Sequence, residues 1–163
     1  MKRIILILFL SLGLIGISNA DFQYAVEAYY KQDYETALKE FKVLAEQGNG
    51  KAQRYLAYMY EDGSGVAKDE NLAKSWEEKS LAGLKLLAEQ GDAEAQYYFA
   101  ESITDDDEAE IWYKKSFKGF LFSANQGDPY AQSWLSYFYM DGIGVDEDQE
   151  LSESWEMKSA QGD

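Results

Sequence analysis

Gly48-Asn49-Gly50-Lys51-Ala52-Gln53 opens a stretch that runs through Leu56-Ala57-Tyr58-Met59-Tyr60 and Asp62-Gly63-Ser64-Gly65-Val66 to Ala73 and Trp76, and its parts recur. Gln-Gly followed by Asn or Asp returns at Gln90-Gly91-Asp92, Gln126-Gly127-Asp128 and Gln161-Gly162-Asp163. Ala-Gln follows the first three glycines at Ala52-Gln53, Ala95-Gln96 and Ala131-Gln132, and an aspartate stands ten residues after each Ala (Asp62, Asp105, Asp141). Asp62 and Asp141 open Asp-Gly-x-Gly-Val, and Trp76, Trp112 and Trp155 are each followed three residues later by Lys-Ser. Self-similarity at a period of this length is the mark of a stacked-repeat architecture, in which one unit cannot bury its apolar face alone.

The copies differ in an interpretable way. Ile103 to Trp112 is seven residues shorter than Tyr60 to Trp76 or Tyr139 to Trp155, so the middle copy lacks the Gly-x-Gly loop. The last copy is short after its Trp, which makes the earlier second helices about two turns longer at about 3.6 residues per turn. Ala52, Leu56, Met59 and Tyr60 fall at the i, i+4, i+7, i+8 spacing of a helix buried on one face. The glycine ahead of each such helix suits a left-handed position closing the preceding helix. Small residues at Ala52, Ala57 and Ala73 let neighbouring helices approach.

This pattern resembles the Sel1-like repeat, a relative of the tetratricopeptide repeat. The first copy carries the resemblance through Ala52, Gln53, Leu56, Tyr60, Gly63, Gly65, Val66, Asp69, Ala73 and Trp76, with Ala57 where the family has glycine. The third keeps Ala131, Gln132, Leu135, Tyr139, Gly142, Gly144, Val145, Asp148 and Trp155 and departs at Ser136 and Ser152. The second retains only Ala95, Gln96, Ala100, Ala109 and Trp112. The resemblance implies an all-α, right-handed solenoid of antiparallel helix pairs that binds partners on its concave face. The domain reading is a leader over 1–20, a capping helical hairpin over 21–47, and repeats over 48–90, 91–126 and 127–163.

Met1-Lys2-Arg3, the apolar run Ile4 to Ile17 and Ser18-Asn19-Ala20 have the three-part anatomy of a secretory signal peptide cleaved after Ala20. The run is too short for a membrane span, which takes about 20 apolar residues. The expected location is periplasmic or secreted, with no membrane insertion after cleavage. In the hairpin, Tyr24, Ala25, Ala28 and Tyr29 are expected on one face and Tyr34, Ala37, Leu38, Phe41, Leu44 and Ala45 on the other. Lys31-Gln32-Asp33 is expected to turn between them, with Asp33 as N-cap. Pro129 sits where a helix begins and its missing N–H costs little. With no further helix after Gly162-Asp163, Trp155 and its neighbours are expected to be partly exposed or covered by another molecule.

The chain has 163 residues, 15 basic against 30 acidic side chains, and a formal net charge of −15. That charge repels nucleic acid and anionic lipid and favours a basic partner surface. With neither His nor Cys, the commonest general base, the thiol nucleophile and the usual zinc ligands are missing. The acidic run Thr104-Asp105-Asp106-Asp107-Glu108 reads as a helix cap rather than a calcium site. The Asp-Gly-x-Gly loops also fail as calcium loops: the positions five and three before the glycine, where acids are needed, are Tyr58 and Tyr60, or Tyr137 and Tyr139. No catalytic residue, cofactor or metal is assigned.

What remains is aromatic. Three residues after each repeat Ala stand Tyr55, Tyr98 and Trp134, and six after stand Tyr58, Glu101 and Tyr137. Residues three apart on a helix are neighbours, so stacking sets Tyr55, Tyr58, Tyr98, Trp134 and Tyr137 as an aromatic ladder for a protein or peptide partner; the competing reading is that they fill inter-repeat packing. Trp76, Trp112 and Trp155 read as buried structural residues of the second helices. The functional expectation is a binding adaptor, with an immunity protein against an envelope-acting toxin as one version. Two alternatives stand beside it: a cell-envelope hydrolase using two carboxylates with separated pKa values, and a module self-associating through its last repeat.

Overall fold

The computed structural model describes residues 19–162, and among them every regular element is a helix. The helices are α1 (Asn19–Tyr30), α2 (Tyr34–Glu46), α3 (Gly50–Asp62), α4 (Glu70–Glu89), α5 (Ala93–Ser102), α6 (Asp106–Ala124), α7 (Pro129–Asp141) and α8 (Gln149–Ala160). They pack in chain order as four pairs, each helix against those before and after it, with α3 also touching α5. This is an all-α solenoid. The segment read as a leader lies outside the described residues, except for Asn19 and Ala20, which open α1. No helix among the described residues is long and apolar enough to cross a membrane.

Local chemistry starts and stops each helix. Asp33, Asn49, Asp69, Asp92, Asp105, Asp128 and Asp148 cap α2 to α8, each side chain accepting a first-turn backbone N–H. Each such cap contributes about 1 kcal/mol, so six aspartates of this acidic chain have a structural role. Asp105 is therefore not the equivalent of Asp62 and Asp141, although the spacing from Ala aligns all three. Asp62 and Asp141 close α3 and α7, whereas Asp105 opens α6. Pro129 takes the first turn of α7.

The repeat glycines turn the chain. Gly48 has φ +88°; its N–H reaches the Ala45 carbonyl and the Asn49 N–H reaches the Leu44 carbonyl, the two bonds that satisfy a helix C-terminus around a left-handed residue. Gly65 and Gly144 have another task. A Cβ on Gly65 would lie 2.7 Å from Tyr34 Cβ, and one on Gly144 would lie 2.6 Å from the Tyr113 carbonyl carbon. The Gly-x-Gly loop thus presses its backbone against the second helix of the preceding pair.

The Ala-Gln signature is an inter-pair clip. Ala52, Ala95 and Ala131 are at most 1 % exposed. Beside them Gln53, Gln96 and Gln132 donate from Nε2 to the carbonyls of Ala45, Ala88 and Ala124, at 2.9, 3.0 and 3.3 Å. Each bond brings a second donor to a helix-end carbonyl that already accepts the N–H of the turn glycine, Gly48, Gly91 or Gly127. The Trp-x-x-Lys-Ser signature resolves as well. Lys79, Lys115 and Lys158 lie over the rings of Trp76, Trp112 and Trp155 at 4.2, 3.7 and 3.8 Å. Ser80 and Ser116 are fully buried, and Ser116 donates to the Ala93 carbonyl at 2.6 Å.

Three expectations need correction. In α1 the buried residues are Phe22, Ala25, Val26 and Ala28, while Tyr24 is 56 % exposed; Phe22 takes the inner place because its ring meets Phe41 and Tyr55. Trp76 and Trp112 are half-buried, with a lysine covering the outer ring face. Trp155 itself is not exposed but buried within its own pair, as its reading as a structural residue has it, and the exposure expected at that end falls on its neighbours Leu151 and Met157.

Candidate binding groove

The first helices of the four pairs share one lining. A groove of about 430 Å³ is walled by Tyr30 of α1, Tyr58 of α3, Tyr97 and Tyr98 of α5, and Tyr130, Ser133, Trp134 and Tyr137 of α7. The curvature of the stack brings α1 round to face α7, and a second hollow between α1, α7 and α8 shares Tyr30, Tyr130 and Ser133 with the first. Of the nominated residues, Tyr58, Tyr98, Trp134 and Tyr137 line the groove. Tyr55 does not. It is 2 % exposed, stacked on Phe41 at 4.6 Å and met edge-on by Phe22 and Tyr29. The capping hairpin covers that rung of the ladder.

The sequence reading missed Tyr30, Tyr97, Tyr130 and Ser133. Three of these belong to repeat columns that were never compared. One residue before each Ala stand Lys51, Glu94 and Tyr130, and two residues after stand Arg54, Tyr97 and Ser133. The first column is a bonded chain: Lys51 Nζ lies 3.2 Å from Glu94 Oε2, and the Tyr130 hydroxyl donates to Glu94 Oε1 at 2.9 Å. A lysine, a glutamate and a tyrosine in register on successive first helices were the signal.

Two hydrogen-bonded knots back the aromatic wall. At one end Lys51, 7 % exposed, is held by Glu94 and by Asp92 at 2.9 Å, and its ammonium lies over the Phe22 ring. Burial pulls the Lys51 pKa down, but Glu94 and Asp92 outweigh it and the net shift is up. Burial pushes the Glu94 carboxyl above the usual carboxylate range against the opposing pull of Lys51 and Tyr130. At the other end Glu101 accepts the hydroxyls of Tyr58 and Tyr97, both at 3.0 Å, and lies 3.3 Å from Arg54, which also pairs with Glu77. Tyr97 shares a further bond with Tyr137 at 3.2 Å. The column Tyr58, Glu101, Tyr137 is therefore wired together, with the unforeseen Tyr97 as its connector. Burial raises the pKa of Tyr58, Tyr97, Tyr98 and Tyr130, and the nearby carboxylates Glu101 and Glu94 add to it.

No carboxylate is among the residues lining the groove, since Glu94 and Glu101 stand behind tyrosines. The pair of carboxylates that the hydrolase alternative calls for is therefore not presented to the groove, whose side-chain oxygens are tyrosine and serine hydroxyls. Among the described residues no cluster of acidic side chains could hold a metal ion.

A curved stack of helix pairs with a shared aromatic inner face defines a helical-repeat scaffold. The Sel1 repeat family model matches residues 50–82, 93–118 and 129–155, more than half of the chain, and the protein belongs to that family. Sel1 repeats typically mediate protein–protein interaction and are generally non-catalytic scaffolds. Among solved structures, a Sel1 repeat protein from Oxalobacter formigenes is 26 % identical, over 86 % of this chain and 55 % of that one, with a TM-score of 0.37. A protective antigen present in uropathogenic Escherichia coli strains, which displays an SLR fold, is 28 % identical over 86 % of this chain and 37 % of that one, also with a TM-score of 0.37. The chain thus spans little more than half of the first protein and a smaller part of the second. No curated protein matches the chain.

Proposed function

We propose that this protein is an exported adaptor that captures another protein by seating a segment of it in the aromatic groove. One observation carries the reading: the groove is lined by seven aromatic side chains and one serine, all from the first helices of the pairs. Tyr and Trp dominate binding hot spots because they offer large contact area with few rotatable bonds. The hydroxyl bonds to Glu94 and Glu101 hold three of these tyrosines in place before a partner arrives, which lowers the ordering cost of binding. The net charge of −15 favours a basic partner. Export rests on the three-part pattern of residues 1–20, and neutralisation of a basic, envelope-acting toxin is the concrete version that small size, export and acidity together suit.

The test is capture from the envelope fraction of the native host at low and moderate salt, with wild-type protein beside Tyr30→Ala and Tyr137→Ala. Tyr30 is 62 % exposed, so its change removes no core; Tyr137 is half-buried and bonded to Tyr97, so helicity is the control for its change. Loss of a salt-resistant partner in both variants, with helicity unchanged, is the expected result. A partner retained by both variants places the contact elsewhere.

A further inference from the structure

We propose that the groove is an arginine-binding cage: the segment it takes lays a guanidinium side chain in the open groove, against the wall formed by Tyr58, Tyr97, Trp134 and Tyr137. This inference rests on the adaptor reading above and names the chemistry that the groove selects.

The walls of the cage are steeply inclined to one another. Tyr97 meets Trp134 at 4.9 Å and 62°, and Tyr137 at 6.1 Å and 69°; Trp134 meets Tyr137 at 6.1 Å and 71°. These three rings pack edge to face in mutual contact, so the space for a cation is the groove of about 430 Å³ that they line with Tyr58, not a gap between them. The face of an aromatic ring carries the negative end of its quadrupole and attracts a cation within about 6 Å.

Two of the four rings, Tyr58 and Tyr97, carry hydroxyls bonded to a carboxylate, which enriches them in electron density. The hydroxyls of Tyr58 and Tyr97 donate to Glu101, and that of Tyr130 donates to Glu94. A phenol whose proton is drawn toward a carboxylate pushes electron density back into its ring, as polar groups in a chain polarise one another. The charge balance points the same way. Behind the wall, Glu94, Asp92, Glu101 and Glu77 stand against Lys51 and Arg54, four carboxylates to two cations. The same arrangement already exists inside the protein, where the Arg54 guanidinium lies 4.6 Å from the centre of the Tyr58 ring while bonded to Glu101.

Arginine fits better than the other cations. Its planar guanidinium stacks on rings and sheds water more readily than an ammonium. The groove also offers hydroxyl oxygens on Tyr137 and Ser133 that can accept N–H bonds, which a quaternary ammonium cannot supply.

The test titrates the purified protein with N-acetyl-arginine amide, followed through the Trp134 indole N–H signal, assigned by its loss in Trp134→Phe. A saturable shift with a Kd in the millimolar range, near −4 kcal/mol, is expected for one side chain. N-acetyl-citrulline amide, equal in shape but uncharged, is expected to bind at least about fivefold more weakly, and the lysine amide about two- to fivefold more weakly. Glu101→Gln is expected to weaken arginine about two- to fivefold at unchanged helicity. Equal binding of citrulline overturns the proposal in favour of neutral stacking. Tighter binding of tetramethylammonium overturns it in favour of a quaternary ammonium occupant. No saturable shift at about 50 mM arginine amide, far above the expected Kd, overturns it outright. Should these probes fail while Tyr30→Ala and Tyr137→Ala still abolish partner capture, the cage falls and the adaptor reading stands; should capture also be indifferent to those variants, both fall.

Discussion

The Tyr58 hydroxyl on α3 donates to Glu101 on α5 at 3.0 Å, across 43 residues of sequence. Both occupy the position six residues after their repeat alanine. The bond shows how this solenoid builds a surface: equivalent positions on successive first helices become partners, and substitutions among them write the chemistry of the groove.

Tyr55 provides the sharpest test of what is packing and what is surface. Its ring is buried against Phe41, and its hydroxyl, near those of Tyr30 and Tyr98, makes no well-formed hydrogen bond. An unsatisfied buried hydroxyl costs about 1–3 kcal/mol. Tyr55→Phe should therefore leave stability unchanged or raise it by up to about 1 kcal/mol, whereas Tyr55→Ala should lose about 3–5 kcal/mol. Urea unfolding of both variants checks this, and a clear loss in Tyr55→Phe would show that the hydroxyl is bonded after all.

Lys51→Met should cost about 3–5 kcal/mol at pH 7, because it leaves Glu94 buried without its cation. The loss should shrink as pH falls toward 4.5, the ordinary glutamate value. Burial already holds the folded-state pKa of Glu94 above that value, so protonation removes the stranded charge. The double variant Lys51→Met/Glu94→Gln should regain most of the stability. Denaturation of the three proteins at two pH values decides it; an equal loss at both would mean that lost packing, not charge, is the cause.

Alkali should unfold the protein cooperatively. Burial raises the pKa of Tyr55, Tyr58, Tyr97, Tyr98 and Tyr130 above 10.0. A group with a raised folded-state pKa contributes stability that is complete below its unfolded value and lost as pH climbs through the folded one. Lys51, raised above 10.5, acts in the same direction. The last part of the tyrosinate absorbance of the thirteen tyrosines, that of these five, should therefore appear together with the loss of helical circular dichroism above pH 10. The full tyrosinate signal reached with helicity intact would mean that these hydroxyls are open to solvent.

Gly50→Ala should destabilise by about 1–3 kcal/mol as an overpacking change, although alanine is the better helix former by about 1 kcal/mol. Its Cβ would lie 2.5 Å from Leu84 N and 2.7 Å from the Gly83 carbonyl carbon, where α3 and α4 cross backbone to backbone. Gly119→Ala, which meets only the Ala93 side chain closely, should cost less. Thermal unfolding ranks the two, and a gain in Gly50→Ala would show that the crossing can open.

The helix pairs were legible because each signature residue acts locally or between adjacent helices. Gly48, Gly91 and Gly127 take left-handed turns, Gln53, Gln96 and Gln132 reach back eight residues to a helix end, and Asp or Asn caps the helices after the first. Such interactions leave a periodic mark in the chain. The phase of α1 was misread because Tyr24 and Phe22 are both aromatic, and only the position of Phe41 and Tyr55 on other helices chooses between them.

The sequence by itself determined a solenoid of helix pairs with a missing middle loop, and an aromatic character on the first helices. Only the tertiary structure decided which aromatics meet solvent. Tyr55 and Trp134 hold the same repeat position, but the rings of Phe22, Tyr29 and Phe41 close over Tyr55, while Trp134 stacks on Phe120 and keeps one side open to the groove. Successive residues on a helix point about 100° apart, so a small rotation in how one pair sits on the next moves the exposed face from one column to its neighbour. That rotation is set by the summed packing of every pair, which no single stretch of the chain encodes.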